Sequence, residues 1–459
     1  MDIEEKTFDD TVEEIIELLE NRQYRSAREE ILKNNGVDAA EILEEIIEEL
    51  GIKIAIVIFR MLPKDMSVEV FSYLTIDDQK DIINGITDVE LSYIIDELDF
   101  DDKIDVLEEL PANIVDKILE KSTKAERRLI NTFLNYPDDC AGSLMTPEYI
   151  SLQGSMTVRE ALRHIKNEGM DSETVYTCYV KSGGRKLEGI VSLRTLVISD
   201  DDALISDLMH TDFVDVNVYD DQEEVSDAFM KYGFLAIPVV DNEGRLVGIV
   251  TIDDIMDVIE EEATEDIERM AGVLSDDDDR EYLDISVWGH IKSRIMWLTL
   301  MMFTAMITGG ILGAFEDMLT PTLVCYIPLL MGTSGNAGNQ AATLVTRGIA
   351  VGDLDTDDVL KILWKEFRIS IGICLVLASI NFIKVLVIDR VDITTAVIIN
   401  LSLVIIVIIA KMLGGLIPMA AKKLGIDPAL VANPLLTSLS DMISVVTYFA
   451  IASLMMTNV

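Results

Sequence analysis

The sequence has 459 residues, too many for one ordinary domain, and combines a net charge of −45 at pH 7 with a positive mean hydropathy of +0.30. Residues 285–459 carry 11 acidic and 11 basic side chains, so the other 71 acidic and 26 basic side chains lie in residues 1–284. A polyanionic part joined to a neutral apolar part argues against nucleic acid and anionic lipid as partners and favours cations. Solubility alone, for example in a salt-rich cell, is the alternative explanation.

Neither a disulfide framework nor an enzyme is predicted. The four cysteines lack metal-binding spacing, which favours reduced structural thiols. His164, His210 and His290 are isolated, and the sequence has no phosphate loop or nucleophile elbow. The first ten residues, MDIEEKTFDD, are acidic where a signal peptide is basic, so we expect the N-terminus to remain in the cytoplasm.

Residues 1–138 are predicted to form an all-α superhelical domain. Isoleucine and leucine recur at helical spacing among glutamates, and a phrase of 12 residues occurs four times, beginning at Thr75, Thr87, Asp99 and Pro111. Thr, Asp and Pro favour the start of a helix, and short helices repeated in this way stack into a solenoid. Acids such as Asp99 and Asp102 are expected mainly as caps, with cation binding as an additional role for some of them.

Residues 139–252 contain a tandem α/β repeat. The units 145–208 and 209–252 share the order strand, helix, strand, glycine turn, strand and helix. This order resembles a pair of CBS domains, whose members commonly bind adenine nucleotides between the units. The resemblance implies a ribose contact at Thr251 and Asp254 in GIVTIDDI, whereas the first unit has Thr195 at the aspartate position. A dimerisation module without nucleotide is the alternative.

Residues 253–284 are predicted to form an acidic connecting helix and a loop. Six carboxylates lie on or beside one face of this helix: Asp254, Asp257, Glu261, Glu262, Glu265 and Asp266. Like charges at this spacing repel, and a divalent cation between them converts the repulsion into attraction. Oxygen ligands without nearby His or Cys favour Mg²⁺ or Ca²⁺. A solvated helix face is the alternative.

Residues 285–459 are predicted to form an α-helical transmembrane domain with five spans, each reaching the roughly 20 residues that a bilayer requires. The spans lie at about Ile295–Phe315, Leu323–Ile349, Ile369–Ile388, Thr394–Met419 and Pro428–Met456. Basic residues precede the first span and lie between the second and third and between the fourth and fifth, which predicts a C-terminus outside. Lys384, Lys411 and Asp427 are expected near enough to segment ends to reach the membrane surface.

The second span is unusual because glycine and amide residues fill its middle. Gly332, Gly335, Asn339 and Thr343 fall three and four residues apart, on one helix face. Lipid does not solvate such residues, whereas amide oxygens suit a cation or its hydration water. This pattern favours a pore lining, with a helix–helix contact through small residues as the alternative.

The fifth span contains an acid, Asp441, in the middle of an apolar segment. A lone carboxylate at that depth costs on the order of several kcal/mol unless a cation or a partner compensates it. Pro434 lacks an N–H group, so we expect the helix near Asn433 to loosen and to present oxygens. An aspartate bonded to a hydroxyl of a neighbouring helix is the alternative.

The domain order and two membrane phrases, GTSGNAGNQAATLVTR and DPALVANPLLTSLSD, resemble the MgtE family of Mg²⁺ channels over nearly the whole chain. The resemblance implies a homodimer in the cell membrane whose pore is formed by the second and fifth spans of both subunits. It implies that Asp441 holds a largely hydrated Mg²⁺, and it assigns further pore positions: Asn433, Gly332, Gly335, Asn339 and Thr343. Ala337 departs from the family pattern, in which a hydroxyl is common, so a polar contact there is not implied.

The acidic connecting helix resembles the plug helix of that family, which links the cytosolic sensor to the pore. The resemblance implies regulatory Mg²⁺ at five of its carboxylates: Asp254, Asp257, Glu262, Glu265 and Asp266. We expect Asp99 and Asp102 to contribute from the helical domain. Binding would draw the helical and CBS domains together and let the plug helices close the pore.

The sequence therefore predicts a Mg²⁺-selective channel closed by cytosolic Mg²⁺, with an adenine nucleotide as a second ligand and no nucleic-acid partner. One alternative is a secondary transporter of Mg²⁺ or other divalent cations, and another is a membrane-anchored nucleotide sensor that moves no ion. Coupled transport usually needs a further buried titratable group, which the three ionisable residues near segment ends do not supply.

Overall fold

The computed structural model describes residues 7–170, 172–274, 282–283, 285–315 and 320–456, without the side chains of residues 113 and 431–433. The chain divides into two compact units, Met1–Val258 and Ile259–Val459. Below, they are called the N-terminal unit and the membrane unit. The boundary falls within one helix, so each unit is described by itself.

Ten helices open the described part of the N-terminal unit. They are α1 Phe8–Glu20, α2 Tyr24–Ile31, α3 Gly36–Leu50, α4 Ile52–Phe59, α5 Lys64–Ser72, α6 Ile76–Gly85, α7 Asp88–Glu97, α8 Phe100–Glu109, α9 Ala112–Lys121 and α10 Lys124–Phe133. Each 12-residue phrase of the sequence forms one of the ten-residue helices α6 to α9. Helices pack against the next but one, as α4 does on α6 and α6 on α8, which confirms the helical solenoid.

Local capping explains why the solenoid helices begin where they do. The Thr87 hydroxyl accepts a hydrogen bond from the Glu90 N–H, and the Glu90 carboxylate accepts one from the Thr87 N–H, which forms a capping box. Thr75 caps α6 through the Asp78 N–H. Asp99 occupies the N-cap position of α8, as predicted. Its side chain, however, makes no capping hydrogen bond to the helix.

The tandem repeat forms two three-stranded sheets of the same topology, β1-β2-β3 and β4-β5-β6, each with one parallel and one antiparallel pair. Its elements are α11 Ala141–Leu144, β1 Tyr149–Leu152, α12 Val158–Glu168, β2 Thr174–Lys181, β3 Leu187–Ser192, α13 Leu193–Ile198, α14 Ile205–Leu208, β4 Val216–Asn217, α15 Gln222–Tyr232, β5 Ala236–Val240, β6 Leu246–Thr251 and α16 Ile252–Ala271. The repeated order of strands and helices confirms the predicted α/β pair. Helix α16 continues unbroken from the N-terminal unit into the membrane unit.

Five long helices form the membrane unit: α17 Val287–Ala314, α18 Pro321–Ala350, α19 Val359–Ile383, α20 Ile393–Leu424 and α21 Pro428–Met456. Wider turns at Lys384–Ile388 extend α19. In the described part of the chain, four helices are long and apolar enough to cross a membrane: α17, α19, α20 and α21. Helix α18 has 30 residues but a lower mean hydropathy, because glycine and amide residues fill its middle. It packs between α20 and α21, which supplies the fifth predicted span.

Candidate metal centres

One face of α18 is a close helix–helix contact. Gly338, Ala341 and Ala342 are buried against α20, where a Cβ added to Gly414 would lie 2.9 Å from Ala341 Cβ. A Cβ on Gly338 would lie 3.3 Å from the carbonyl oxygen of Ala410. Small residues are therefore required here for the two backbones to approach. This face therefore corresponds to the alternative that we considered for this helix, a helix–helix contact through small residues.

The four predicted pore residues of α18 lie on a different face. Gly332 and Thr343 are exposed in the single chain, and Asn339 is half-buried. Gly335 is buried beside α21, where a Cβ on it would lie 4.0 Å from Thr437 Cγ2. The chain thus covers only part of a polar helix face that lies within an apolar helix bundle. An uncovered polar face of this kind needs water or protein beside it.

Asn339 connects this face of α18 to α21. Its side-chain Nδ2 lies 3.3 Å from Thr437 Oγ1 and donates a hydrogen bond to it. The Thr437 hydroxyl in turn lies 3.5 Å from Asn339 Oδ1. Amide and hydroxyl groups from two helices therefore meet at one level of the bundle, and the next turn of α21 brings Asp441 to the same side.

Asp441 is half-buried and has no compensating partner in the described part of the chain. No hydrogen bond or ion pair joins its carboxylate to another described residue. The alternative of an aspartate bonded to a neighbouring helix hydroxyl is therefore not what these residues form. An unpaired carboxylate at membrane depth, one turn from the Thr437–Asn339 contact, is an arrangement that a hydrated cation would stabilise.

The expected loosening of α21 near Asn433 is not observed. Helix α21 continues through Pro434 from Pro428 to Met456. Contacts of α21 with α17, α18 and α20 hold the helix together although the proline has no N–H to donate. The side chain of Asn433 lies outside the described residues, so its pore role stays a prediction.

The second half of α16 lies in the membrane unit and reaches the start of α21. Arg269 Nη1 lies 3.0 Å from Asp427 Oδ2, and Arg269 also pairs with Glu265. Glu262, Glu265 and Asp266 are half-buried. Burial and then the charge of Asp427 raise the pKa of Asp266 above its usual value. Asp427 directly precedes α21, at the end of a predicted span, and Arg269 pairs with it there. Its position at the membrane surface stays a prediction.

The N-terminal unit gathers acids that are far apart in the sequence. Asp102 of α8 lies close enough to Asp99 and to Asp254 of α16 for their charges to interact. Burial, followed by the charges of Asp99 and Asp254, raises the pKa of Asp102 to about 6. Burial and the charge of Asp101 raise the pKa of Asp254 to about 7. These shifts arise because the carboxylates are buried beside one another, and a divalent ion would relieve their repulsion. Asp257 is exposed on the same helix.

Two further acids in this region were missed by the sequence reasoning. One carboxylate oxygen from each of Asp99, Glu148 and Glu173 lies within 4.8 Å of the others, close enough to share a metal ion. Glu148 and Glu173 precede β1 and β2, and the Glu173 N–H donates to the Glu148 carbonyl. The two strands are parallel, so their starts lie at one sheet edge. The sequence signal for these two acids was that each directly precedes one of two neighbouring parallel strands.

The sequence segments that are expected to contact a nucleotide form equivalent hydrogen bonds in the two CBS units, each at the start of a helix. The Thr251 hydroxyl donates to Asp254 Oδ2 at 2.6 Å, and in the first unit the hydroxyls of Ser192 and Thr195 lie 2.9 Å apart. Asp254 therefore belongs to two predicted sets, the nucleotide-binding pair and the regulatory acids. Its neighbouring acids Asp99, Asp101, Asp102 and Glu173 form with it what is called the acidic cluster below. In this arrangement its carboxylate faces other acids.

Comparison with known proteins accounts for this combination of units. The magnesium transporter MgtE of Thermus thermophilus is 36% identical over 454 residues, which cover 95% of this chain and 99% of the relative. This chain belongs to the MgtE family. Family models match in chain order: the MgtE intracellular N domain over residues 37–139, CBS domains over 141–200 and 205–261, and the MgtE divalent cation transporter domain over 327–451.

Other MgtE proteins resemble the chain to a similar extent. The magnesium transporter MgtE of Bacillus subtilis is 31% identical over 468 residues and covers 98% of each chain. A solved structure, the cytosolic domain of the Mg²⁺ channel MgtE in complex with ATP, is 33% identical with a TM-score of 0.50. It covers 54% of this chain and 99% of its own. The chain is thus a multi-pass membrane protein of the MgtE family.

One ionisable residue of this MgtE chain departs from the sequence expectation. Lys411 does not reach the membrane surface: its side chain is 4% exposed, and its Nζ lies 3.5 Å from Glu366 Oε2 on α19. It is 13 residues from the end of α20, about 20 Å along the helix, which is beyond the reach of a lysine side chain. Lys384 pairs with Asp389 at 2.5 Å. A buried titratable pair is therefore present in the membrane unit.

Proposed function

We propose that the chain imports Mg²⁺ as a homodimeric channel of the cell membrane. The observation that carries the proposal is the half-buried Asp441 carboxylate, which has no partner among the described residues and lies one turn from the Thr437–Asn339 contact. The description of the matching domain as a divalent cation transporter, and the names of the relatives as magnesium transporters, support Mg²⁺ as the ion.

A second copy of the chain would complete the pore. The face of α18 that carries Gly332 and Thr343 is open in the single chain, although the helix lies within an apolar bundle. Two such faces and two Asp441 carboxylates around one axis would enclose a wet path. Mg²⁺ dehydrates reluctantly, so a wide ring of amide, hydroxyl and carboxylate oxygens suits the hydrated ion. We assign Gly335, Asn339 and Asn433 to the same lining.

Cytosolic Mg²⁺ closes this channel in our proposal. Asp99 and Asp254 both repel Asp102, and the raised pKa values of Asp102 and Asp254 support this cost. Mg²⁺ bound among them would hold the helical domain against the CBS pair. Further regulatory ligands are proposed on α16: Asp257, Glu262, Glu265 and Asp266. A ligand at about 100 times its dissociation constant contributes about 2.7 kcal/mol per site, so a few weak sites suffice for closure.

The proposed orientation places the N-terminus in the cytoplasm and the C-terminus outside. Lys361, Lys365 and Arg368 lie at the start of α19, and Lys422 and Lys423 at the end of α20, so both groups belong to loops on one side. The proposed domain division is 1–138, 139–252, 253–284 and 285–459. No catalytic activity and no nucleic-acid partner are proposed.

An adenine nucleotide is proposed as a second ligand of the CBS pair. The related cytosolic domain was solved in complex with ATP, and this chain retains the phrase that ends in Thr251 and Asp254. Because Asp254 also faces the acidic cluster, nucleotide and Mg²⁺ would act on one carboxylate. Equilibrium dialysis of the full chain with ATP, with and without Mg²⁺, tests this coupling.

Flux through the purified full chain in vesicles tests the channel. Asp441→Ala is expected to lower Mg²⁺ flux about 100-fold, because a charged ligand at the pore is worth about 2.7 kcal/mol. The matched control is Asp353→Asn, which removes a negative charge from the exposed loop after α18 and should leave the flux unchanged. Unaltered flux in Asp441→Ala would contradict the pore assignment. Equal flux with and without saturating internal Mg²⁺ would contradict the gating assignment.

A secondary transporter of Mg²⁺ or other divalent cations is the second candidate, and the buried Lys411–Glu366 pair favours it, since coupled transport uses buried titratable groups. The reversal potential separates the two functions. A channel current reverses at the Mg²⁺ equilibrium potential at every external pH, whereas a proton-coupled current shifts with the pH gradient.

A further inference from the structure

Helices α19 and α20 bury an ion pair that the conduction path does not use. The side chains of Lys411 and Glu366 are 4% and 9% exposed. Glu366 Oε2 is buried and, within the described part of the chain, accepts no hydrogen bond. Because a buried charge without a partner is strongly destabilising, each of these two groups depends on the other.

Among the described residues, the pair is one of three polar contacts between the side chains of α19 and helix α20. Farther along α19, the Cys374 thiol donates to the Val404 carbonyl at 3.6 Å, and Asn381 Nδ2 donates to Asn400 Oδ1 at 3.1 Å. Among the described helices, α19 packs chiefly on α20. The ion pair is the charged contact of the three, and it lies nearest the loop between α18 and α19.

The backbone next to Lys411 is in contact with the pore helix. The Ala410 carbonyl oxygen would lie 3.3 Å from a Cβ on Gly338, which directly precedes Asn339 in α18. One turn after Lys411, Gly414 faces α18, and a Cβ on Gly415 would lie 3.6 Å from Glu366 Cγ. At Gly414 and Gly415, α20 therefore presents backbone to α18 and α19, and this backbone lies between the ion pair and the pore helix.

We propose that Lys411 is a positioning residue for conduction. Its ion pair with Glu366 fixes the register of α20 on α19, and the backbone beside Lys411 then fixes Gly338 and the adjacent Asn339. An apolar contact tolerates a small slide of one helix along another, whereas a slide here would leave two charges unpaired in a dry interior. The inference rests on the proposed Mg²⁺ conduction and adds a residue outside the pore that controls its shape.

Flux ratios in vesicles distinguish positioning from stability. Lys411→Gln and Glu366→Gln each leave one charge buried alone and are expected to lower Mg²⁺ flux about tenfold. The apolar pair Lys411→Met with Glu366→Met is expected to regain wild-type thermal stability but to change the Co²⁺-to-Mg²⁺ flux ratio about threefold. Exchanging the charges, Lys411→Glu with Glu366→Lys, should return the ratio toward the wild-type value.

The control removes another polar contact between the same helices. Asn381→Leu with Asn400→Leu should leave the flux ratio unchanged, because those residues lie far along α19 from the ion pair. A stable apolar double variant with the wild-type rate and ratio would overturn the proposal. If that variant does not fold, a folded Lys411→Gln chain with the wild-type ratio would overturn it equally. Absence of flux in the wild-type vesicles would instead contradict the proposed function itself.

Discussion

Ionised side chains are arranged in opposite ways in the two units of the molecule. In the N-terminal unit, acids lie beside other acids, and burial with mutual repulsion raises the pKa of Asp101 to about 7. In the membrane unit, most buried charges have a partner of opposite sign, as Lys411 has Glu366. Asp441 differs from these, because no described residue compensates its carboxylate.

The difference shows that two separate features can indicate an ion site. One is a high density of like charges, and the other is a single charge that no neighbouring group compensates. In the acidic cluster, several carboxylates lie together and repel one another. A cation bound there would change the equilibrium between conformations of the N-terminal unit. Asp441 is a single uncompensated carboxylate among the described residues, so a cation bound there would be held weakly and could leave. The first arrangement suits a sensor and the second suits a pore.

The acidic cluster should respond to pH, and this is the largest effect that we expect in the N-terminal unit. The pKa of Asp101 and of Asp254 is about 7 and that of Glu173 about 8, raised by burial and by neighbouring acids. The unfolded values are about 4. The folded cluster therefore binds more protons than the unfolded chain, so its stability is fully present below about pH 4 and falls as the pH rises toward about 8.

Hydrogen exchange of the α8 and α16 amides in the full chain measures this response. Without Mg²⁺, protection should be lower at pH 8 than at pH 6. Because Mg²⁺ must displace protons, its apparent affinity should fall about tenfold between pH 8 and pH 6. A Mg²⁺ affinity that is the same at both pH values would contradict a role of these acids as Mg²⁺ ligands.

The contact between Asn339 and Thr437 offers an intermediate effect in the membrane unit. Asn339→Ala removes a hydrogen bond worth about 1 kcal/mol, which corresponds to about fivefold in Mg²⁺ flux. Thr437→Val should have a similar effect, and the double variant should lose little more, because both changes break one contact. Additive losses would mean that each residue acts on the ion separately.

Glu173→Gln should have the smallest effect at neutral pH. The pKa of Glu173 is about 8, so the side chain is mostly protonated at pH 7 and the amide changes its charge little. We expect less than about a twofold change in apparent Mg²⁺ affinity at pH 7 and a larger loss at pH 9. A large loss that does not depend on pH would indicate that Glu173 is ionised throughout.

Much of the N-terminal fold could be predicted because local signals determine it. The phrases that begin at Thr75 and Thr87 carry their own caps, and each forms a helix where expected. The tandem α/β repeat is likewise encoded in its own strands and turns. The neighbourhood of Asp254 could not be derived from spacing alone, because it depends on how the solenoid packs on the CBS units. Glu148 and Glu173, by contrast, had a sequence signal that was overlooked, because each directly precedes one of two neighbouring strands.

In the membrane unit, residue types indicated the pore face but not the partners of the other charges. Asp427 and Lys411 were expected near the surface on the basis of their distance from segment ends. The structure pairs them with Arg269 and Glu366, which come from other helices. Pro434 was expected to open α21, yet packing keeps the helix continuous. Tertiary contacts of this kind have no local sequence signal.

The 12-residue repeats of α6 to α9 have a geometric consequence. Each of these helices has its main contacts with near neighbours in the solenoid, so removal of one repeat would leave most of the stacking of the others intact. Removal of α9, which lies between α8 and the sheets in the chain, would however shift α8 by one step, and Asp99 would no longer lie beside Glu148 and Glu173. The number of repeats therefore sets how far the solenoid extends before it meets the sheet edge, much as the length of a spacer sets the distance between two binding sites.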